Sequence, residues 1–420
     1  MTLAMTALSL GAQTLAECQQ AAERNYPLVR QTDLIRQTTG LTLENIQRGW
    51  LPQISATAQA TLQSDVTAFP DALQSVYQQL GIDMKGLRKD QYRLGIDAAQ
   101  TLYDGGSIRL QKEVARRQGD VSVAENEVSL YTVRKRVNEM YFGLLLLDEQ
   151  IAQNKILQEV LNANEQKLAA MFKHGTAAQS DYLAVKAERM GAAQQLTNLK
   201  AQRQTLLNVL SAFCGIEVSQ PSKPEAEAPL SSSHEGKSQR PELRLIDARL
   251  NLANAQEKTL DAAIRPRLSL FAQAFYGYPG FNLFEDMMKR RWTLNGMVGA
   301  RLTWNIGALY TRRNDKAKLQ LQRLAAENSR DVFLFNNRLE QMQHSENIER
   351  FRKLLADDAE IINLRTAVRK ATESKLAHGI IDANDLVKEI NSENSARVQQ
   401  SVHEIQMLKE MYDLKYATNQ

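Results

Sequence analysis

Two hydrophobic patterns alternate along the chain and separate helical from extended stretches. Apolar residues recur every three or four positions over residues 107–213 and 308–416, which predicts two helical hairpins with coiled-coil seams. The longer helix of each hairpin would reach roughly 100 Å at about 1.5 Å per residue. Four short segments instead alternate apolar and polar residues with a period of two, which predicts β-strands. They lie at about 51–63, 91–103, 266–277 and 292–305.

The order of these elements occurs twice, which predicts a duplicated unit. Residues 14–215 and 241–420 each contain a helix, a strand pair and a hairpin, and "LPQISATAQA" of the first copy corresponds to "RPRLSLFAQA" of the second. Residues 216–240 are dense in Pro, Ser and Glu and have no apolar period, so they form a linker. The shorter helix of each hairpin is about half as long as its partner. Two shorter helices stacked end to end would therefore place the linker in an equatorial belt.

Residues 1–13 resemble the apolar part of a secretory signal peptide, although an ordinary N-terminal segment is the alternative. The chain has only two cysteines, Cys18 and Cys214. They are too few and too far apart for a zinc site, so they form either one disulfide or two buried thiols. Both lie near predicted helix ends close to the belt, which slightly favours a disulfide.

Charge and hydropathy exclude two classes of protein. The 420 residues include 52 Lys and Arg against 48 Asp and Glu, and the two signs are interspersed, which argues against a nucleic-acid-binding face. The longest purely apolar run, residues 142–147, is too short for a membrane-spanning helix, in agreement with a mean hydropathy of -0.42. If the chain spans a bilayer, it must do so with strands.

Aromatic residues lie at the ends of the predicted strands. Strict alternation also suits a half-buried soluble sheet. Aromatic side chains at strand ends instead favour a membrane sheet, because such residues collect at the lipid headgroups. The residues at these positions are Trp50, Tyr92, Tyr103, Tyr276, Trp292 and Trp304.

The sequence contains no pattern that indicates catalysis or a cofactor. Its five histidines have no metal-ligand spacing, and it has no phosphate-binding loop, dinucleotide fingerprint or nucleophile elbow. We therefore expect neither an enzyme nor a metal or cofactor site.

Four motifs carry a resemblance to a known family. "LYDGGSIRLQ" and "TWNIGALYTR" each turn a strand into a long helix, and "KHGTAAQSD" and "AHGIIDAND" each end one long helix and begin another. In this order the chain resembles the TolC-like outer-membrane efflux family. The resemblance implies a homotrimer with a 12-stranded β-barrel in outer-membrane lipid and a periplasmic α-helical tunnel. It also implies that the channel exports small molecules together with a periplasmic adaptor protein and an inner-membrane transporter.

The resemblance also assigns roles to the two helix-turn-helix tips. Tips of this family line the periplasmic entrance and contact the adaptor, which implies that role for His174, Gly175, Thr176, His378, Gly379 and Ile380. Acidic residues of the second tip narrow the aperture, which implies a selectivity role for Asp385. Lys388 departs from the family, which has a second acidic residue there, and Asp382 could compensate. For Asp181 of the first tip, helix N-capping is at least as good an interpretation.

Two other functions fit parts of the sequence. A type I protein-secretion channel would share the same architecture. A soluble coiled-coil scaffold would explain the long helices but not the alternating segments with aromatic ends.

Overall fold

The computed structural model of the protein describes residues 13–84, 86–225 and 238–419. The predicted signal-peptide-like segment 1–13 lies almost entirely outside the described residues, as do residues 226–237 of the predicted linker. The described part is mainly helical with one small sheet, which confirms the predicted fold class at that level. Its helices are α1 (Leu15–Asn25), α2 (Leu28–Gln47), α3 (Asp71–Gln79), α4 (Ser107–Lys173), α5 (Gln179–Cys214), α6 (Pro241–Ala263), α7 (Leu283–Lys289), α8 (Ala308–Ala377) and α9 (Ala383–Thr418). Its strands are β1 (Gln53–Leu62), β2 (Asp90–Tyr103), β3 (Arg267–Tyr278) and β4 (Thr293–Thr303).

The first helical stretch is broken where the periodicity predicts one helix. Tyr26, which precedes Pro27, has an extended backbone, as residues before proline prefer. The side chain of Asn25 donates to the carbonyls of Ala212 and Phe213 at the end of α5. The break therefore lets the end of α1 cap the end of α5, and α2 begins as a separate helix.

Two short helices occupy segments that the sequence pattern left as loops. α3 begins directly after Pro70, and α7 has the N-cap Asn282, whose side chain accepts from the backbone of Glu285. Both are local start signals that the long-range periodicity does not detect.

The described chain divides into two compact units that cut across the predicted repeats. The first takes the residues up to Leu34, Val123–Ile246 and those from Glu327 onward, and the second takes Ile35–Ser122 and Asp247–Ala326. Each unit thus contains parts of both copies. The repeat boundaries themselves stay a prediction of the sequence.

The core of the first unit joins α1 and α5 to the middle of α4 and to α9. Val137, Tyr141 and Leu144 of α4 are fully buried in it, together with Leu210 of α5. The Tyr141 hydroxyl is also shared between the backbone oxygens of Gln13 and Ser222, which holds the segment before α1 close to the linker. These buried seams are the heptad positions of the sequence pattern.

Both cysteines are free thiols in this core, which corrects the preference for a disulfide. Cys18 and Cys214 are fully buried, and the Cys214 Sγ donates to the Cys18 carbonyl oxygen over 3.4 Å. The hydrogen bond with Cys214 and burial together raise the pKa of the Cys18 thiol. The pair therefore acts as packing between α1 and the end of α5.

The second unit is built on an antiparallel sheet with the strand order β1–β2–β3–β4. Cross-strand partners point to the same face, so the register sorts the side chains into two faces. One face is apolar across all four strands, and it is open to solvent in the single chain. The exposed residues on this apolar face include Ile54, Leu62, Leu94, Ile96, Leu270, Leu294, Val298 and Leu302. Leu62 and Val298 are 83% and 81% exposed as whole residues, which is unusual for apolar residues of a sheet.

The loops at one end of this sheet pack on each other. Leu87, Tyr278 and Met287 form a small buried cluster, against which Val66 and Phe69 pack. The Tyr278 hydroxyl accepts from the backbone of Arg88. Met287 brings α7 into this cluster, and the Phe69 ring also lies 5.7 Å from the ring of Tyr77 in α3.

No helix in the described ranges is long and apolar enough to cross a membrane.

The register of β2 against β3 depends on a glycine. A Cβ on Gly277 would lie 2.3 Å from the carbonyl oxygen of Tyr92 and 2.9 Å from the Cα of Arg93. We expect Gly277→Ala to push the two strands apart and to lower the free energy of unfolding by about 1–3 kcal/mol. The thermal unfolding midpoint should fall by several degrees. The matched control is Gly296→Ala, because a Cβ there would meet only the Gln273 carbonyl oxygen at 3.7 Å. Equal midpoints for the two variants, measured by circular dichroism, would contradict this account.

Candidate functional site

The two tip phrases fold into the same turn. Gly175 ends α4 and Gly379 ends α8, with φ values of +75° and +70°. The residue after each glycine donates its backbone N–H to a carbonyl five residues earlier, Thr176 to Met171 and Ile380 to Lys375. Each glycine also donates to the carbonyl three residues earlier. This is the Schellman motif, and the left-handed backbone it requires suits glycine, as the sequence predicted.

The two tips differ in how the next helix is capped. The N-cap of α9 is Asp382, whose carboxylate accepts from the backbone N–H of Asp385. The corresponding position before α5 is Ala178, which has no side-chain acceptor. There Asp181, six residues after the turn glycine, reaches back and accepts from the Ala178 backbone N–H at 3.3 Å. The second tip is therefore capped by its N-cap residue, Asp382. The first tip is capped by Asp181, which lies three residues after the N-cap position.

Asp181 also links the two tips to each other. Its second carboxylate oxygen accepts from the backbone N–H of Ala383, at the start of α9, over 3.3 Å. Behind this contact, Val185 and Leu386 are fully buried in an apolar cluster shared by α4, α5, α8 and α9. The capping interpretation of Asp181 thus describes its contacts, with a link to the second tip that the sequence did not predict.

Asp385, the equivalent of Asp181 in the second tip, has a different environment. It is exposed, and its carboxylate has no hydrogen-bond or ion-pair partner among the described residues. Lys388, one turn further along, is exposed as well. The Asp382 carboxylate is used for the cap, so it is less available to compensate for the lysine.

The remaining predicted contact residues lie on the surface of the tips. His174, Thr176, His378 and Ile380 are exposed, and Ile380 keeps 70% of its surface accessible. His378 Nδ1 lies 2.7 Å from the Ser374 carbonyl oxygen, so the imidazole hydrogen-bonds a carbonyl in the last turn of α8. The described residues contain no group of His, Cys, Asp and Glu that could hold a metal ion.

A buried ion network lies beside this tip cluster, between α8 and α9. Glu393 contacts both Arg369 and Arg397 and accepts from the Thr366 hydroxyl at 2.9 Å. Burial disfavours its charge, but the hydrogen bonds from the two arginines and the threonine outweigh burial and lower the pKa of Glu393. The sequence pattern did not predict this network. The spacing of four residues between Glu393 and Arg397 indicates a pair on one helix face, but no spacing indicates that Arg369 approaches from another helix.

The six predicted interface aromatics collect at the two ends of the sheet. Tyr92, Tyr276 and Trp292 pack together at the end with the packed loops, with ring centroids 5.9 Å and 5.3 Å from Trp292. At the other end, Trp304 Nε1 donates to the Ile264 carbonyl oxygen. Tyr103 is the last residue of β2, and Trp50 lies three residues before the start of β1. The spacing between the two sets is the length of the strands.

Comparison with known proteins agrees with this geometry. The family model described as outer membrane efflux protein matches residues 14–215. The outer-membrane channel OprN shares 16% identity and a TM-score of 0.68, over 96% of this chain and 89% of that one. The CmeC outer membrane channel of Campylobacter jejuni shares 14% identity and a TM-score of 0.65, over 96% and 85% of the two chains. The open-state MtrE outer membrane channel of Neisseria gonorrhoeae shares 16% identity and a TM-score of 0.63, over 96% and 88%. No curated protein sequence matches significantly.

The family match for residues 14–215 therefore confirms the resemblance to the TolC-like outer-membrane efflux family, and the solved channels show the same fold for nearly the whole chain. Proteins of this family are channels in the outer membrane of Gram-negative cells with a periplasmic tunnel, and they are transport components, not enzymes. The expected outer-membrane localisation with a periplasmic extension follows from the same match.

The link made by Asp181 gives a test of the tip geometry. We expect Asp181→Ala to raise the amide hydrogen exchange of Ala178 and Ala383 about fivefold, because each loses an acceptor that contributes about 1 kcal/mol. Asp385→Ala is the matched control at the equivalent position, since the Asp385 carboxylate accepts from no described residue. Exchange measured by mass spectrometry should rise only in the first variant. The same exchange in both variants would show that Asp181 does not hold the tips.

Proposed function

We propose that this chain is the outer-membrane channel of a tripartite efflux pump, which exports small molecules from the cell. The observation that carries the proposal is the apolar face of the sheet, which is exposed over all four strands and bounded by aromatic residues at both ends. A soluble sheet of this size would cover such a face with helices or a second sheet. Hydrocarbon tails are the partner that suits it, with the aromatic side chains at the headgroups.

The number of strands requires several copies of the chain. In the described residues, β1 and β4 each pair with a neighbour on one side only. Unpaired backbone groups are very unfavourable in lipid, so both edges must pair. The smallest membrane barrels have about eight strands, and three copies would supply twelve, as the family resemblance implies. We therefore propose a homotrimer closed by pairing of β1 with β4 of the next copy.

The assembled mass and the conductance test this function together. We expect the detergent-solubilised protein to have three times the chain mass of 47.3 kDa, because only a closed ring pairs every strand edge. Reconstituted in planar lipid bilayers, the trimer should form stable conducting channels. A protein that stays soluble and monomeric without detergent would instead support the coiled-coil scaffold.

The tips are the proposed site of contact with the periplasmic adaptor and of the aperture. Ile380 and Thr176 present exposed side chains directly after the turn glycines, where a helical hairpin of an adaptor can reach them. Asp385 supports the aperture proposal, since its carboxylate is exposed and is not engaged with described residues, in contrast to Asp181. An inner-membrane transporter would complete the pump and select the exported molecules.

Charge at the second tip should change the ion selectivity of the channel. We expect Asp385→Ala to lower the preference for cations, because it removes one negative charge per copy from the aperture. Lys388→Ala should move the selectivity in the opposite direction, and the trimer should stay intact in both. The measurement is the reversal potential under a salt gradient. An unchanged potential in Asp385→Ala would place the filter elsewhere in the channel.

A further inference from the structure

The polar face of the sheet carries two stacks of the same composition. The guanidinium carbon of Arg93 lies 3.9 Å from the centroid of the Phe275 ring, and that of Arg301 lies 4.9 Å from the centroid of the Phe271 ring. Both distances are well within the range of cation–π attraction. Most other side chains on this face are polar or charged, so two large aromatic rings there are unusual.

Each of these phenylalanines pairs with a glycine on the neighbouring strand. Gly95 of β2 pairs with Phe275, and a Cβ there would lie 3.3 Å from the Phe275 Cβ. Gly299 of β4 pairs with Phe271, and a Cβ there would come within 2.7 Å of its ring. The Phe271 ring therefore lies over Gly299, whereas Gly95 faces only the Cβ of Phe275. In both pairs the guanidinium lies over the phenyl ring.

The charges on this face do not cancel. Arg93, Arg301 and Arg267 share the face with a single carboxylate inside the strands, Asp97. Asp97 accepts from the Gln273 side chain at 2.6 Å rather than from an arginine. None of the three arginines forms an ion pair with a carboxylate in the part of the chain that the structure describes. The polar face is thus net positive, and two of its cations are held in place by aromatic rings.

We propose that Arg93 and Arg301 make the strand-lined part of the channel prefer anions. The proposal rests on the proposed channel function, in which the apolar face meets lipid and the polar face lines the lumen. Three copies would then contribute two rings of three stacked guanidinium groups. Gly277 and Ser269, the β3 partners of Arg93 and Arg301, are eight residues apart. The rings would therefore lie roughly 27 Å apart along the strands.

The stacking matters for selectivity as well as the charge. A guanidinium keeps its charge at every physiological pH, and a ring beneath it restricts its motion without neutralising it. Fixed charges of one sign along a narrow aqueous path raise the local concentration of the opposite ion. Anionic permeants, including export substrates with carboxylate or phosphate groups, would gain most from this arrangement.

The test is the ratio of chloride to potassium permeability of single channels in planar bilayers. The full-length double variant Arg93→Gln/Arg301→Gln should lower this ratio about threefold or more, because it removes six charges from the trimer. Arg93→Lys/Arg301→Lys is the matched control that keeps the charges, and its ratio should stay near that of the unchanged protein. Asp97→Asn should raise the ratio. Wild-type selectivity in a normally conducting glutamine variant would overturn the proposal while leaving the channel function intact.

A second route remains if the glutamine variant does not assemble. Arg301→Cys can be modified after assembly with a negatively or a positively charged thiol reagent, because the native Cys18 and Cys214 are buried. We expect the negative reagent to lower the ratio of chloride to potassium permeability and the positive reagent to raise it towards the wild-type ratio. The same permeability ratio after both reagents would overturn the proposal. A wild-type protein that forms no conducting channel would overturn both this proposal and the proposed function.

Discussion

Backbone pairing at the edges of the four-stranded sheet is the constraint on which the rest of the structure depends. Within the described part of the single chain, each of β1 and β4 has one unpaired side, and the apolar face of the sheet is uncovered. In water, such a sheet would bind other edges or aggregate. In lipid, each unpaired backbone group would cost several kcal/mol. Association into a closed ring satisfies both demands, which is why the proposed function follows from the sheet more than from the helices.

Buried polar contacts fix the register of the long helices. The repeating apolar seams alone would allow one helix to shift along another. His403 of α9 lies 2.7 Å from the buried carboxylate of Asp358 on α8, and Asn337 of α8 donates to the Ala417 carbonyl oxygen of α9. A shift by one heptad would keep the apolar seams in contact but would leave these groups buried and unpaired. Polar contacts of this kind are the best-attested means of fixing helix register, at little or no gain in stability.

The two tips show how a duplicated phrase acquires different roles. Both keep the left-handed glycine and both have an aspartate six residues later, because the turn and the start of the next helix impose the same geometry. Ala178 has no side-chain acceptor at the N-cap of the first tip, and the Asp181 carboxylate accepts from the Ala178 backbone N–H instead. Asp382 caps the second tip, so Asp385 is left exposed and available for another role. A single difference at the N-cap thus separates a structural aspartate from a candidate functional one.

Local and periodic features were determined by the sequence alone. The heptad seams, the alternation of the strands and the turn glycines each depend on residues close in the chain, so the observed elements lie near the predicted ones. The break at Pro27 and the starts of α3 and α7 also have local signals, although the long-range periodicity does not detect them. The free thiols of Cys18 and Cys214 were instead decided by contacts between distant segments. The same is true of the Asp181–Ala383 link and of the arginines stacked on Phe271 and Phe275. Such contacts need strand register and helix packing, which bring together residues that no spacing along the chain relates.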